Sequence, residues 1–304
     1  MILVAGGTGN LGLELVSHLS ARGNVVRVLT RDLDRAERRL GEAPELILGD
    51  ARSPHTLDAA LDGVDAVVSA ITGFGPGAPG PKAVDYEGNV NLIRAAEAAG
   101  VRRFVLLSMY GAATDHPMEL ARMKYRAEEA LRASRLEWVI VRPNAFMELW
   151  AEIAGGPIVK EGKATVFGRG DNLINFNSAK DVARFTELAL FDPGLSRTIL
   201  AVGGPENLTF NQLVGQIEHA AGRKAVVKHV PLPMMRLLSL VMRPFKPDIA
   251  GMIGAGIAFD TVDMTFDASD LRRRFPQIEL TRLADVLGRQ QAATPEPISA
   301  EAAR

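Results

Sequence analysis

Short apolar runs recur along the first half of this chain, separated by stretches in which apolar and polar residues alternate with helical spacing. Ile2-Leu3-Val4-Ala5, Asn24 to Thr30, Leu46-Ile47-Leu48, Ala66 to Ala70, Phe104 to Ser108 and Trp138 to Arg142 read as strands. The first is apolar enough to be buried on both faces of a sheet. Helical patterns fill the intervals. One spans roughly Leu11 to Arg22 and stops at Gly23. Ser53-Pro54 supplies a cap and a first-turn proline before Thr56 to Leu61, and Gly100 closes a helix ending at Ala99. The alternation predicts an α/β class protein with a doubly wound parallel sheet, whose ligand crevice lies at the carboxyl ends of the strands.

Thr72 to Pro81, rich in glycine and proline, is the most loop-like stretch and follows the fourth strand on that ligand side. Beyond Arg142 the alternation loosens. We therefore expect an N-terminal lobe over 1–150, a smaller substrate lobe over 151–290 with an interleaved boundary, and a poorly ordered tail over 291–304. Ser178 to Asp181 resembles a capping box opening a helix through Leu190, and Thr209 opens another reaching about Ala221. Pro231 to Ala258 is apolar and carries Met234, Met235, Met242 and Met252, but Arg236, Arg243, Lys246 and Asp248 interrupt it. No uninterrupted span approaches the roughly 20 residues of a membrane helix. Core packing is the expected role of this segment, with a wall or lid for an apolar substrate as the alternative.

Composition narrows the chemistry. The 304 residues are 47% hydrophobic and 23% charged, with a net charge of -1, so no bulk attraction draws the chain to nucleic acid or to an anionic membrane. With no cysteine, disulfides, thiolate catalysis and cysteine-held metals are excluded. His18, His55, His116, His219 and His229 lack metal-ligand spacing, and no metal site is expected. Met1 leads straight into the first strand with no signal-like segment, which makes a cytoplasmic location the expectation.

The first strand runs into Gly6-Gly7-Thr8-Gly9-Asn10-Leu11-Gly12, with glycines at Gly-x-x-Gly-x-x-Gly spacing just before a helix. Glycines there let backbone approach a pyrophosphate, and the positive end of the helix faces it, so a Rossmann-type dinucleotide site follows. The second strand ends in Thr30-Arg31-Asp32. A guanidinium at that place suits a 2′-phosphate and favours NADP(H) over NAD(H), although Asp32 is the residue type that suits a bare ribose; the competing reading of Arg31 is a solvated charge at a helix start. Asp50 and Ala51 close the third strand, where a carboxylate can accept from an adenine amino group. Ala70, Ile71 and Thr72 close the fourth, where backbone can pass the ribose.

These residues resemble the short-chain dehydrogenase/reductase superfamily and, within it, the atypical NmrA-like branch with its isoflavone-reductase-like and quinone-oxidoreductase-like members. The similarity covers residues 1 to about 200. It is carried by the glycine segment, by Asp85-Tyr86-Glu87-Gly88-Asn89, by the strand ending in Ser108, and by Arg142-Pro143-Asn144-Ala145-Phe146-Met147. Relatives with ordinary dehydrogenase chemistry carry Tyr-x-x-x-Lys in the helix after that serine, and the tyrosine exchanges a proton with substrate. Here Tyr86, Tyr110 and Tyr125 are followed four residues later by Val90, Thr114 and Glu129, and the matching pair is Leu120 and Lys124. Leucine cannot relay a proton. The resemblance to the isoflavone-reductase-like branch implies that a lysine there is itself the acid/base, and Lys124 and Glu128, at i,i+4, fit that branch's lysine-to-glutamate spacing; Glu128 on the same helical face would orient the ammonium. The competing reading is a solvated lysine on a charged helix. Ser108 is a candidate for holding substrate, Tyr110 for replacing the missing phenol, and Pro143, Asn144, Phe146 and Met147 for lining the nicotinamide pocket.

The expectation is thus an NADPH-dependent reductase acting on a small, apolar, conjugated carbonyl compound such as a quinone or enone, with homo-oligomers allowed. A non-catalytic NADP(H)-binding redox sensor or assembly factor is the alternative, since the resemblance includes such proteins and fold does not fix function. A structural Rossmann domain with an empty site is the third reading.

Overall fold

Residues 1–293 are described in the computed structural model. Six strands arise in order, β1 (Ile2–Ala5), β2 (Val26–Thr30), β3 (Glu45–Leu48), β4 (Ala66–Ser69), β5 (Arg103–Leu107) and β6 (Glu137–Pro143). The chain then leaves the sheet through β7 (Ala145–Phe146), β8 (Lys163–Phe167) and β9 (Ile174–Asn177) and returns to it as β10 (Thr198–Val202). All seven strands of the main sheet are parallel, in the order β10-β6-β5-β4-β1-β2-β3. β1 lies between β2 and β4, where the winding reverses, and the carboxyl ends on either side of it bound a crevice. The return of β10 was not legible as a strand from the sequence.

Alternation along each strand explains the two apolar layers. Ile2 and Val4 of β1 face the same side as Val26 and Val28, against α1 (Asn10–Ala21). Leu3 and Ala5 face the other side with Phe104, Leu106 and Ile140. The first side is closed further by Val182, Phe185 and Ala189, which belong to the helix between β9 and β10. The second is closed by Leu92, Ile93, Ala127 and Leu131.

Five helices precede β6: α1, α2 (Leu33–Leu40), α3 (Asp58–Leu61), α4 (Asn89–Ala98) and α5 (Glu119–Arg132). The helix expected over Thr56 to Leu61 is a tight turn over Pro54–Thr56 followed by the single turn of α3. A π-helical segment, Lys82–Gly88, runs directly into α4. The remaining helices are α6 (Met147–Glu161), α7 (Ala179–Phe191), α8 (Phe210–Ala221), α9 (Leu232–Met242), α10 (Pro247–Thr261), α11 (Ser269–Arg274) and α12 (Leu283–Ala293), with strands β11 (Asn207–Leu208) and β12 (Val226–Val230) among them. Thr209 and Gln212 form a reciprocal capping box at α8. The box expected at Ser178 is incomplete: Ser178 accepts from Lys180 N, but the carboxylate of Asp181 turns to Thr281. Of the tail expected over 291–304, residues 291–293 close α12 and the rest falls outside the described residues.

The methionine-rich segment folds as the α9–α10 hairpin, and its expected burial is corrected. Met235 is buried, but Met234, Leu237, Leu240, Val241 and Phe245 face solvent.

The glycine loop shows how closely backbone packs at the turn from β1 to α1. Gly6 has a φ of 90°, and a Cβ there would lie 2.6 Å from the Ala70 carbonyl oxygen. A Cβ on Gly12 would overlap the Gly6 carbonyl, whereas one on Gly9 would lie 3.5 Å from it. Gly12→Ala is therefore expected to lower unfolding free energy by about 1–3 kcal/mol, and Gly9→Ala to leave it nearly unchanged. Chemical denaturation of the two variants checks the difference.

Candidate active site

The crevice at the carboxyl ends of β1 to β4 has a volume of about 660 Å³. Gly6, Thr8, Gly9, Asn10, Arg31, Asp50, Ala51, Ala70, Ile71 and Thr72 all line it, as their places at successive strand ends lead one to expect. Leu11 and Gly12 do not. Leu11 packs toward the α1 side of the sheet, and Gly12 sits behind the loop, where it permits helix and turn to touch. Gly9 is the N-cap of α1 and offers no side chain, so the first amides of the helix face the crevice without a side-chain cap.

Three further arginines join Arg31 on this lining: Arg35, Arg39 and Arg52. Asp32 opens α2 by accepting from Arg35 N at 2.9 Å, so one oxygen of the residue suited to a bare ribose is committed to the helix. Arg39 follows Arg35 by one turn and donates to the Thr8 carbonyl at 2.6 Å, bridging α2 to the glycine loop. Arg52 grips Asp50 through both carboxylate oxygens, and that hydrogen-bonded guanidinium holds the Asp50 carboxyl below its ordinary value, with Arg31 adding to the effect. Sequence reasoning singled out Arg31 alone. The i,i+4 spacing of Arg35 and Arg39 behind a capping Asp32 was the available signal.

Lys124 does not line this crevice, yet it is tied to its wall. Its ammonium is buried and donates to the carbonyl oxygens of Ile71 at 3.0 Å and Leu107 at 2.9 Å, with Asp85 Oδ1 3.1 Å away. Asp85 is buried in the π-helical segment, and its other oxygen accepts from Gly73 N at 2.8 Å. The solvated-lysine reading is thus corrected, and so is the pairing with Glu128. One turn further along α5, Glu128 is buried and receives Arg142 at 2.8 and 2.5 Å and the hydroxyl of Ser108. The hydroxyl hydrogen of Ser108 is therefore directed into the protein.

Tyr110, Pro143 and Asn144 meet at the ends of β5, β6 and β10. Tyr110 N donates to Pro143 O at 2.8 Å, and its ring meets Phe266 edge-on at 5.4 Å. Its hydroxyl has no hydrogen-bond partner among the described residues. Asn144 is buried, and neither its amide oxygen nor its amide nitrogen has a partner; Asn177 beside it accepts from Asn144 N while its own amide nitrogen is unpartnered. Phe146, in β7, packs partly buried against the α1 side of the main core. Leu120, four residues before Lys124, lies in an apolar cluster with Met118, Ala121, Phe74, Met109, Ala255 and Ala258.

An unpartnered buried amide, an uncapped helix start, a side-chain-free Gly9 and converging guanidiniums together fit an anionic dinucleotide with a carboxamide at one end. Among the described residues no cluster of metal-ligating side chains is present, and no helix is long and apolar enough to cross a membrane.

A family model described as NAD(P)H-binding matches residues 6–193. The chain is 32% identical over 223 residues to an NAD(P)H azoreductase of Xenophilus azovorans, covering 73% of this chain and 74% of that one. It is 29% identical over 246 residues to the photosystem II assembly factor Ycf39 of a Synechocystis strain, covering 81% and 75%. An Escherichia coli NADPH-dependent quinone oxidoreductase in complex with NADPH shares the fold, with a TM-score of 0.75 at 20% identity over 96% of this chain and 100% of that one.

The lowered pKa of Asp50 has a checkable consequence. Its pairing with Arg52 contributes stability that is fully present above the ordinary carboxylate range and is lost as pH falls through the depressed value. Arg52→Ala is expected to move the Asp50 titration upward, read by carboxyl-carbon NMR.

Proposed function

The chain belongs to the NAD(P)H-binding family of NmrA-like, atypical short-chain dehydrogenase/reductases, and we propose that it is an NADPH-dependent reductase acting on a conjugated, largely apolar acceptor of the quinone, enone or azo kind. The crevice carries this reading: glycine loop, helix start and four guanidiniums converge at one strand-end site. In it Gly6, Thr8, Gly9 and Asn10 hold the pyrophosphate. Arg31 and Arg35 hold a 2′-phosphate, with Asp32 already engaged as a cap. Asp50 and Ala51 face the adenine side, Ala70, Ile71 and Thr72 the ribose, and Asn144 with Phe146 and Pro143 the carboxamide end.

When bound, the reduced nicotinamide supplies the hydride equivalent. The chain orients the acceptor and delivers the proton. Of the three candidates, Ser108, Tyr110 and Lys124, Tyr110 is the one whose polar group is uncommitted, and it gives the proton directly or through water. Lys124, surrounded by Ile71 O, Leu107 O and Asp85, is a positioning residue that fixes the crevice wall. Ser108 fixes Glu128 and Arg142 in the same way.

One observation favours a second reading, an NADP(H)-binding sensor or assembly factor without turnover. Lys124 and Ser108 are both committed to internal partners, and the likeness to Ycf39 is of the same order as that to the azoreductase. Incubation with NADPH and a panel of quinones, enones and azo dyes separates the two: oxidation of NADPH supports the reductase, and tight binding without oxidation supports the sensor.

Two outcomes test the residue assignments. Arg31→Ala with Arg35→Ala is expected to weaken NADPH binding about 10- to 100-fold and to change NADH binding little, measured by cofactor fluorescence; equal wild-type affinities would remove the NADP preference. Lys124→Met is expected to weaken cofactor binding and turnover together, whereas Tyr110→Phe keeps cofactor affinity and lowers kcat.

A further inference from the structure

The α9–α10 hairpin carries apolar side chains on two opposite sides of one helix, which is unusual for a helix at the surface. On its inner side Met235 is buried against Gly256, and Ser239 donates to the Ala250 carbonyl at 3.2 Å, joining α9 to α10. On its outer side Met234, Leu237, Leu238 and Val241 stand at i, i+3, i+4 and i+7. Leu240 widens that stripe, and Phe245, 80% exposed, extends it into the turn. α10 anchors the hairpin to the body. Ala255 and Ala258 pack on Met118 and Ala121, and the Asp248 carboxylate accepts from Gly77 N.

Charge decides among the surfaces that could cover such a stripe. Residues 231–247 include Arg236, Arg243 and Lys246 and no carboxylate, and the next acid, Asp248, is engaged by Gly77. All three cations are exposed, with Arg236 and Arg243 along one flank of the apolar stripe. This cationic segment stands out in a chain of net charge -1. A second copy meeting the face across a twofold axis would set cations against cations without a compensating acid. An anionic bilayer surface offers both complements at once: headgroup phosphates for the cations, whose aliphatic stems lie along apolar surface, and acyl chains for the leucines and Phe245. α9 has 11 residues and α10 has 15, too short to span but sufficient to lie in the interface.

We propose that the α9–α10 hairpin docks this protein on anionic lipid bilayers, with the outer stripe of α9 and Phe245 entering the interface and Arg236, Arg243 and Lys246 binding headgroups. The proposal stands whether or not the crevice supports turnover.

The test is cosedimentation of the full chain with vesicles of phosphatidylcholine alone or mixed with phosphatidylglycerol, together with sedimentation velocity. Binding to the anionic vesicles, weakened by salt, is expected. The triple variant L237S/V241S/F245S should lose it while keeping its thermal transition and its NADPH affinity. R236Q/R243Q/K246Q should weaken it by roughly tenfold or more. Absence of wild-type binding to anionic vesicles, undiminished binding by the serine variant, or a dimer that the serine variant dissociates without any vesicle binding would each overturn the proposal.

Discussion

A buried ammonium ties together the end of the sheet at which any ligand must sit. Lys124 reaches the last carbonyls of two parallel strands, Ile71 just beyond β4 and Leu107 at the end of β5, and lies against Asp85 from the π-helical segment. An ammonium leaves water at a cost of several kcal/mol unless oxygens replace its hydration. Here the oxygens come from three separate elements, so the charge is satisfied only when all three are in register. Asp85 passes the constraint onward to Gly73 N, and Asn89 links the same segment to Ser69. The wall of the crevice after β4 is thus held by a polar network beneath it, which leaves its upper side free for a ligand.

The opposite wall follows a different rule. Four guanidiniums line one crevice in a chain that is close to neutral overall; two of them are held in place, Arg39 by a glycine-loop carbonyl and Arg52 by Asp50, while the capping Asp32 fixes the backbone of Arg35. Cations held near one another in a recess concentrate a positive field, and the start of α1 points its positive end into the same recess. Gly6 and Gly12 make that geometry possible by allowing strand end and helix to touch. Gly9 leaves the mouth open.

What was legible in the sequence was what repeats locally. Short continuous apolar runs placed six strands within a residue or two, and the glycine spacing, Arg31, Asp50 and Ile71 marked successive strand ends that the parallel order then had to bring together. What was not legible depends on contacts distant along the chain. β10 joins the sheet only because β6 offers it an edge, and the partner of Lys124 is 39 residues away rather than one turn away at Glu128. The i,i+4 relation correctly put Lys124 and Glu128 on one face of α5, but that face meets two separate sets of acceptors. The hairpin was misjudged for a related reason. Apolar composition indicates that a segment avoids water, and burial within the same chain is only one way to do so.

Leu120, four residues before Lys124 on α5, completes the picture of this end of the sheet. Leu120 is packed among Phe74, Met109, Met118 and two alanines of α10, so a tyrosine there would bring a hydroxyl into a cluster in which the neighbouring side chains supply no hydrogen-bond partner. The leucine at this position and the docking of α10 over the start of α5 are therefore parts of one arrangement. The helix that covers the position is also the helix that carries α9 and its exposed stripe outward. On the β5 side, Tyr110 leans on Phe266 with its hydroxyl uncommitted. The side chains around Leu120 are apolar, so the start of α5 is held to α10 by packing rather than by hydrogen bonds.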